Sequence, residues 1–133
     1  MFRQKKFIAK FGAQIRACQF FYFLKVYIAD LLKSKTVVVL GVGGVGSFAA
    51  EALARTNIGH IILIDKDDVD ITNVNRQIHA LTTTIGQSKV TLMEERIKLI
   101  NPNCKVTPLH MFYTEETYED IFNNYNIDYV NTE

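Results

Sequence analysis

The amino-acid sequence predicts an α/β fold with a parallel sheet covered by helices on both faces. Three observations carry that prediction. Two short runs, Thr36-Val37-Val38-Val39-Leu40 and Ile61-Ile62-Leu63-Ile64-Asp65, are apolar at nearly every position, as strands buried on both faces are, whereas a half-exposed sheet alternates apolar with polar. Each run is followed, directly or after a loop, by a segment of helical periodicity, so strand and helix alternate along the chain. Finally, the first strand opens into Gly41-Val42-Gly43-Gly44-Val45-Gly46, whose first, third and sixth glycines allow a tight turn, a close ligand approach and close helix packing.

A glycine turn alone is weak evidence, because glycines also serve plain connections. Its setting makes it specific. A buried strand precedes it, an amphipathic helix comes after it, and Asp65 closes the next strand about 20 residues on, where a ribose hydroxyl needs an acceptor. These residues together predict a Rossmann-like, doubly wound nucleotide-binding domain, in which the helix dipole after Gly46 faces phosphate.

Taken in order, residues 1–33 read as a helical arm that is both basic and aromatic, with Phe2, Phe7, Phe11, Phe20, Phe21, Tyr22, Phe23 and Tyr27 and no proline. That mixture suits RNA, where cations meet phosphates and rings stack on bases. It equally suits a helix whose rings pack on the domain while its lysines stay in water. Residues 34–133 make up the nucleotide-binding domain. Within it, Val45, Ala49, Ala52 and Leu53 have the spacing of a buried helical stripe, and Glu51 pairs with Arg55 four residues later on the outer face. Asn57, tolerant of the left-handed conformation, ends this helix before the turn at Gly59.

Asp65, Asp67, Asp68 and Asp70 crowd four carboxylates into six residues, a repulsion that water, a cation or a basic partner must relieve. The next basic residue is Arg76, in Thr72-Asn73-Val74-Asn75-Arg76-Gln77. A helix is predicted from Gly86 to Ile100, with Val90, Met93, Ile97 and Ile100 on one face and Asn101-Pro102 at its end. Lys89 stands in its first turn, where the dipole prefers anions, and such rule-breaking marks candidate functional sites. Lys105 to Met111 is a third strand, weakened or placed near an edge by Pro108. Thr114 caps a helix that carries Glu115 and Glu116 in its first turn and runs to about Asn124; Ile127 to Val130 is a fourth strand.

Composition sets outer bounds. Of 133 residues, 48% are hydrophobic and 22% charged, which excludes general disorder and suits one domain. Net charge is +1, but eight Lys or Arg against Asp30 give +7 up to Lys35 and leave −6 for the remainder. Cys18 and Cys104 lie in no metal-binding or disulfide pattern and read as idle thiols of a reducing cytoplasm. The apolar run from Ala17 to Leu24 is too short to span a bilayer, so no membrane partner is expected.

From about Leu31 to Val130 the sequence resembles the ubiquitin-activating-enzyme-like family of adenylating enzymes, which includes the sulfur-carrier adenylyltransferases. The features shared in order and spacing are Gly41 to Ser47, Asp65-Lys66-Asp67, Asn73-Val74-Asn75-Arg76-Gln77, Gly86-Gln87-Ser88-Lys89 and Ile100-Asn101-Pro102. Ala50 to Arg55 and Thr72 to Leu81 look most like the branch that dehydrates threonylcarbamoyladenosine in tRNA. The resemblance implies strand order 3-2-1-4, ATP rather than NAD, and magnesium (Mg2+). It implies that Gly41, Gly43, Gly44 and Gly46 hold the nucleotide, that Asp65 takes the ribose hydroxyls and that Asp67 shapes the site. Asn73, Arg76 and Lys89 then contact the triphosphate, with Arg76 and Lys89 stabilising charge on departing pyrophosphate. His79 receives no catalytic role. Implied partners are a tRNA carrying threonylcarbamoyladenosine, a second copy of the chain, and a sulfur carrier or cysteine desulfurase.

Two departures shape the expectation. Arg3 and Arg16 do not match the arginine-bearing arm that the family extends to a partner's ATP. The family's fourth strand also runs into a magnesium-binding aspartate turn, where this sequence has Asn131-Thr132-Glu133. An incomplete domain that binds ATP without adenylating is therefore expected. An NAD-dependent dehydrogenase would use the same glycines and Asp65 but leaves Asn73, Arg76 and Lys89 without purpose. A nucleotide-binding remnant or interaction module without turnover would use all of them.

Overall fold

In the computed structural model, residues 25–132 are described. Of the expected arm, residues 1–24, including Arg3, Arg16 and Cys18, lie outside the described residues, as does Glu133; residues 25–32 are helical (α1). Strand β1, Thr36–Leu40, lies between β2, His60–Asp65, and β4, Tyr129–Thr132, while β3, Lys105–His110, pairs with the far side of β2. The order β3-β2-β1-β4 is the expected one, and all three pairings are parallel.

Why both faces of β1 and β2 are apolar is visible in the packing. Val37, Val39, Ile61 and Leu63 point to one face, where Ala50 and Ala54 of α2 (Gly46–Ala54) and Val90, Met93 and Ile97 of α3 (Lys89–Ile100) cover them. Val38, Ile62 and Ile64 point to the other, under Ile121 of α4, Glu115–Asn124. Alternate residues of one strand thus serve two cores. Pro108 is accommodated because β3 is the outer strand of the described sheet.

Two local expectations shift. The buried stripe of α2 is Gly46, Ser47, Ala50 and Ala54, with Val45 exposed outside the helix as its N-cap, because the helix lies on the sheet through its smallest residues. Helix α3 begins at Lys89 instead of Gly86: Gly86 has φ +82°, which no helix accepts, and segment 86–88 instead runs antiparallel to segment 67–69. Two backbone bonds fix that arrangement, Gly86 N–H to the Val69 carbonyl at 2.8 Å and Val69 N–H to the Gln87 carbonyl at 2.9 Å. Asn57 adopts φ 71° as anticipated, and Thr114 forms a reciprocal capping box with Thr117. Glu51 receives Arg55 Nη2 at 2.7 Å and also Arg96 Nε at 2.6 Å, and bonds from these two guanidinium groups, Arg96 foremost, hold its carboxyl below the usual range. Cys104 is buried, which pushes its thiol pKa up.

Gly59 is required for a reason other than its dihedrals. A Cβ there would lie 1.8 Å from the Lys33 carbonyl oxygen, a backbone atom that cannot step aside, while one at Gly86 would meet nothing within 4 Å. Gly59→Ala should therefore lower the free energy of unfolding by about 1–3 kcal/mol or more. Gly86→Ala, strained only by its positive φ, should cost about 1–2 kcal/mol. Urea midpoints at constant slope measure both, and a Gly59→Ala protein as stable as the parent would refute the close approach.

Candidate functional site

The site lies at the carboxyl ends of the strands, where open α/β sheets bind ligands. Gly41 leaves β1 with φ +82° and donates its N–H to the Ile64 carbonyl at 2.9 Å, tying the glycine loop to β2. Asp65 then takes two backbone donors. Val42 N–H reaches Oδ2 at 2.7 Å and Asp67 N–H reaches Oδ1 at 2.8 Å. Each oxygen keeps a second lone pair, so the carboxylate is oriented yet still able to accept from a hydroxyl. Beside it opens a cleft of about 320 Å³ lined by Gly41, Ile64, Asp65, Lys66 and Asp67 and by Met111, Phe112 and Tyr113, which come directly after β3. The Lys66 ammonium sits 4.2 Å from the centroid of the Phe112 ring, a cation–π contact at the edge of this cleft.

The four-carboxylate cluster is relieved residue by residue. Asp65 has its backbone donors. Asp67 stands between two ammonium groups, Lys66 at 3.8 Å and Lys89 at 3.7 Å. Asp68 Oδ1 lies 3.5 Å from His110 Nε2, whose ring also bonds the Lys66 carbonyl at 2.7 Å. The backbone N–H and hydroxyl of Thr72 hold the Asp70 carboxyl below its ordinary pKa, and the charge of Lys89 adds to this. Among the described residues no three His, Cys, Asp or Glu side chains converge to hold a metal ion.

Lys89 is the first residue of α3 and only 5% exposed. Its ammonium approaches Asp67 Oδ2 at 3.7 Å, an ion pair but longer than a hydrogen bond. Arg76 is exposed and lies along Gly44, at which a Cβ would sit 3.7 Å from the arginine's Cδ. Both hydrogen bonds of its guanidinium use Nη1, to the Thr72 carbonyl at 2.9 Å and Asn75 Oδ1 at 3.1 Å, which leaves Nε and Nη2 for a ligand. Asn73 is 8% exposed, and its Oδ1 accepts the Asp70 N–H at 2.9 Å, closing a capping box on the 3-10 turn Ile71–Asn73. Its side-chain oxygen thus shapes the loop that carries Arg76.

Sequence reasoning missed Phe112 and Tyr113 at the cleft, whose only signal was position directly after β3, and gave Lys66, quoted within Asp65-Lys66-Asp67, no role of its own. His79, given no catalytic role, is buried and holds the Val42 carbonyl through Nε2 at 2.6 Å.

Residues 16–131 match the model of the ThiF family. Among curated proteins, the tRNA threonylcarbamoyladenosine dehydratase of Bacillus subtilis is 68% identical over 101 residues, 76% of this chain and 39% of that protein. The Escherichia coli protein of the same name is 52% identical over 106 residues, 77% of this chain and 40% of its own length. A crystal structure of the E. coli dehydratase in complex with ATP superposes with a TM-score of 0.76 at 47% identity, covering 80% of this chain and 43% of that one. The chain thus spans about 40% of the length of these curated relatives. No helix among the described residues is long and apolar enough to cross a membrane.

Both bonds to Asp65 come from the chain's own backbone, so they contribute to folding. Asp65→Ala should cost about 1–3 kcal/mol of stability in the absence of nucleotide by stranding the part-buried Val42 N–H. Asp65→Asn, which retains one acceptor, should cost less. Urea unfolding of the three unliganded proteins checks this; equal stabilities would mean that Asp65 serves a ligand alone.

Proposed function

The chain belongs to the ThiF family, and from that premise we propose that it binds ATP in this crevice as the nucleotide-binding part of an adenylating enzyme. The observation that carries the reading is Lys89: a side chain only 5% exposed whose ammonium meets Asp67 at 3.7 Å, beyond hydrogen-bond distance, while Arg76, its Nε and Nη2 uncommitted, lies along Gly44 of the glycine loop. Burying a cation is costly unless it is well paired. A polyphosphate completes its coordination. A dehydrogenase cofactor would use Asp65 and the glycines and leave this ammonium unexplained.

In the proposed reaction a substrate carboxylate oxygen bonds to the α-phosphorus of ATP. The bond from that phosphorus to its bridging oxygen breaks, and pyrophosphate leaves with the charge. Gly41, Gly43, Gly44 and Gly46 shape the turn around the phosphates, and Asp65 accepts from the ribose hydroxyls. Arg76 and Lys89 stabilise the charge that accumulates on the leaving group, the kind of fixed electrostatic contact that dominates such catalysis. Asp67 orients Lys89, and Asn73 holds the turn that aims Arg76. The names of the relatives favour the threonyl carboxylate of threonylcarbamoyladenosine in tRNA as the substrate, activated as its adenylate and then cyclised with net loss of water. The family resemblance favours a pair of such chains as the working unit.

Arg76→Ala and Lys89→Ala should each weaken ATP about tenfold or more relative to adenosine, since a charge-assisted bond to phosphate contributes about 1.5–3 kcal/mol and adenosine cannot form it. Calorimetric titration with both ligands, and with NAD as the competitor, measures the difference. Equal losses for ATP and adenosine would reduce both side chains to supports of the fold, and tighter binding of NAD than ATP would overturn the reading.

A further inference from the structure

We infer that His79 is a positioning residue for the phosphate site: by holding the Val42 carbonyl it fixes the direction in which the Gly43 N–H points. The inference rests on the proposed ATP site and extends it to a side chain that touches no ligand. Val42 is fully buried, and the peptide groups on either side of it are both clamped from outside the loop. Its N–H donates to Asp65 Oδ2 at 2.7 Å, and its carbonyl accepts from His79 Nε2 at 2.6 Å. A carbonyl carries no proton, so the ring is protonated at Nε2. The first clamp ties the loop to β2, and the second ties it to the segment that bears Arg76.

The second clamp matters because of the peptide it holds. The Val42 carbonyl and the Gly43 N–H belong to one planar trans peptide and point in opposite directions. Holding the oxygen therefore aims the N–H. Gly43 has no Cβ to resist a rotation of that plane, so the turn needs an external constraint to present one face to phosphate. His79 is itself immobilised. It is 4% exposed, and its own carbonyl accepts the Thr84 hydroxyl at 2.9 Å while that hydroxyl accepts the Leu81 N–H at 2.8 Å. One residue earlier, Ile78 N–H donates to Ser47 Oγ at 3.4 Å, in the first turn of α2. The segment that carries Arg76 is thus fastened both to the glycine loop and to the helix behind it, so the two halves of the phosphate site hold one relative position.

Titration of the full chain with magnesium ATP and with adenosine tests this. His79→Leu keeps the bulk and loses the donor, so it should weaken ATP about tenfold and adenosine by less than about threefold. His79→Gln offers an amide N–H in nearly the same place and should restore ATP to within about threefold of the parent. In the unmodified chain, the Nε2–H resonance of His79 should be protected from exchange and should shift on addition of ATP but not of adenosine. Equal losses of both ligands in His79→Leu, or a glutamine variant no better than leucine, would overturn the inference. Should His79→Leu not fold, the resonance decides, and an Nε2–H indifferent to ATP overturns it. An unmodified chain that shows no preference for ATP over adenosine would instead defeat the proposed site, and this inference with it.

Discussion

The Asp65 carboxylate is the joint on which the site depends. It ends β2, yet its two oxygens accept from the glycine loop after β1, through Val42 N–H, and from the loop after β2, through Asp67 N–H. Each bond is charge-assisted, a stronger kind than a neutral pair. One side chain thereby sets the separation of the loop that would meet phosphate from the loop that bears Asp67. Parallel pairing of Leu40 with Ile64 makes the joint possible, since it brings the ends of the two strands level. Apolar burial on both faces locks that register, because a slip of one residue would exchange the contents of the two cores.

Around this joint the acidic loop is organised so that one cation stays imperfectly partnered. Asp68 and Asp70 have His110 and Thr72, and Asp67 is shared between Lys66 and Lys89. Lys66 is half-exposed and also faces the Phe112 ring, so water and an aromatic surface supplement its ion pair. Lys89 is far less exposed and, among the described residues, faces no ring, and beyond Asp67 its charge acts on Asp70. Its position comes from the short antiparallel pairing of segments 67–69 and 86–88, after which its backbone N–H bonds the Asp67 carbonyl at 3.2 Å. The ammonium is thus brought beside Asp67 by backbone geometry that does not depend on its charge.

Much of this was legible in the sequence, and the remainder was hidden for physical reasons. Strands β1 and β2, the edge position of β3, the cap at Thr114 and the left-handed Asn57 obey local rules of burial, proline and turn chemistry. The start of α3 was misread because Gly86 to Ile100 is periodic enough for a helix throughout, and only a tertiary ladder with Val69 turns Gly86 out of it. The stripe of α2 was displaced by one position because periodicity weighs Val45 above Gly46 and Ser47, whereas close contact with a sheet selects the smallest side chains. At the site, Lys89 was visible as a violation of the dipole rule. The Phe112 and Tyr113 side of the cleft was not, because an exposed aromatic after a strand has no signature until the strand order brings it beside β2.

On the proposed reading, the loosely paired Lys89 would link ligand binding to folding. Its ammonium stands at the end of the helix whose dipole opposes a cation, and in the proposed site a phosphate there would offset that opposition. Part of the proposed preference for an anion would be relief of that opposition, and it would be specific to ligands that reach Lys89. Adenosine, ending at the ribose, would engage Asp65 and leave that opposition in place. On the proposed reading, the glycine turn, the Asp65 joint and the helix that begins at Lys89 make one unit that a polyphosphate would stabilise. Mass action then adds stability with ligand concentration, about 2.7 kcal/mol at a hundred times the dissociation constant.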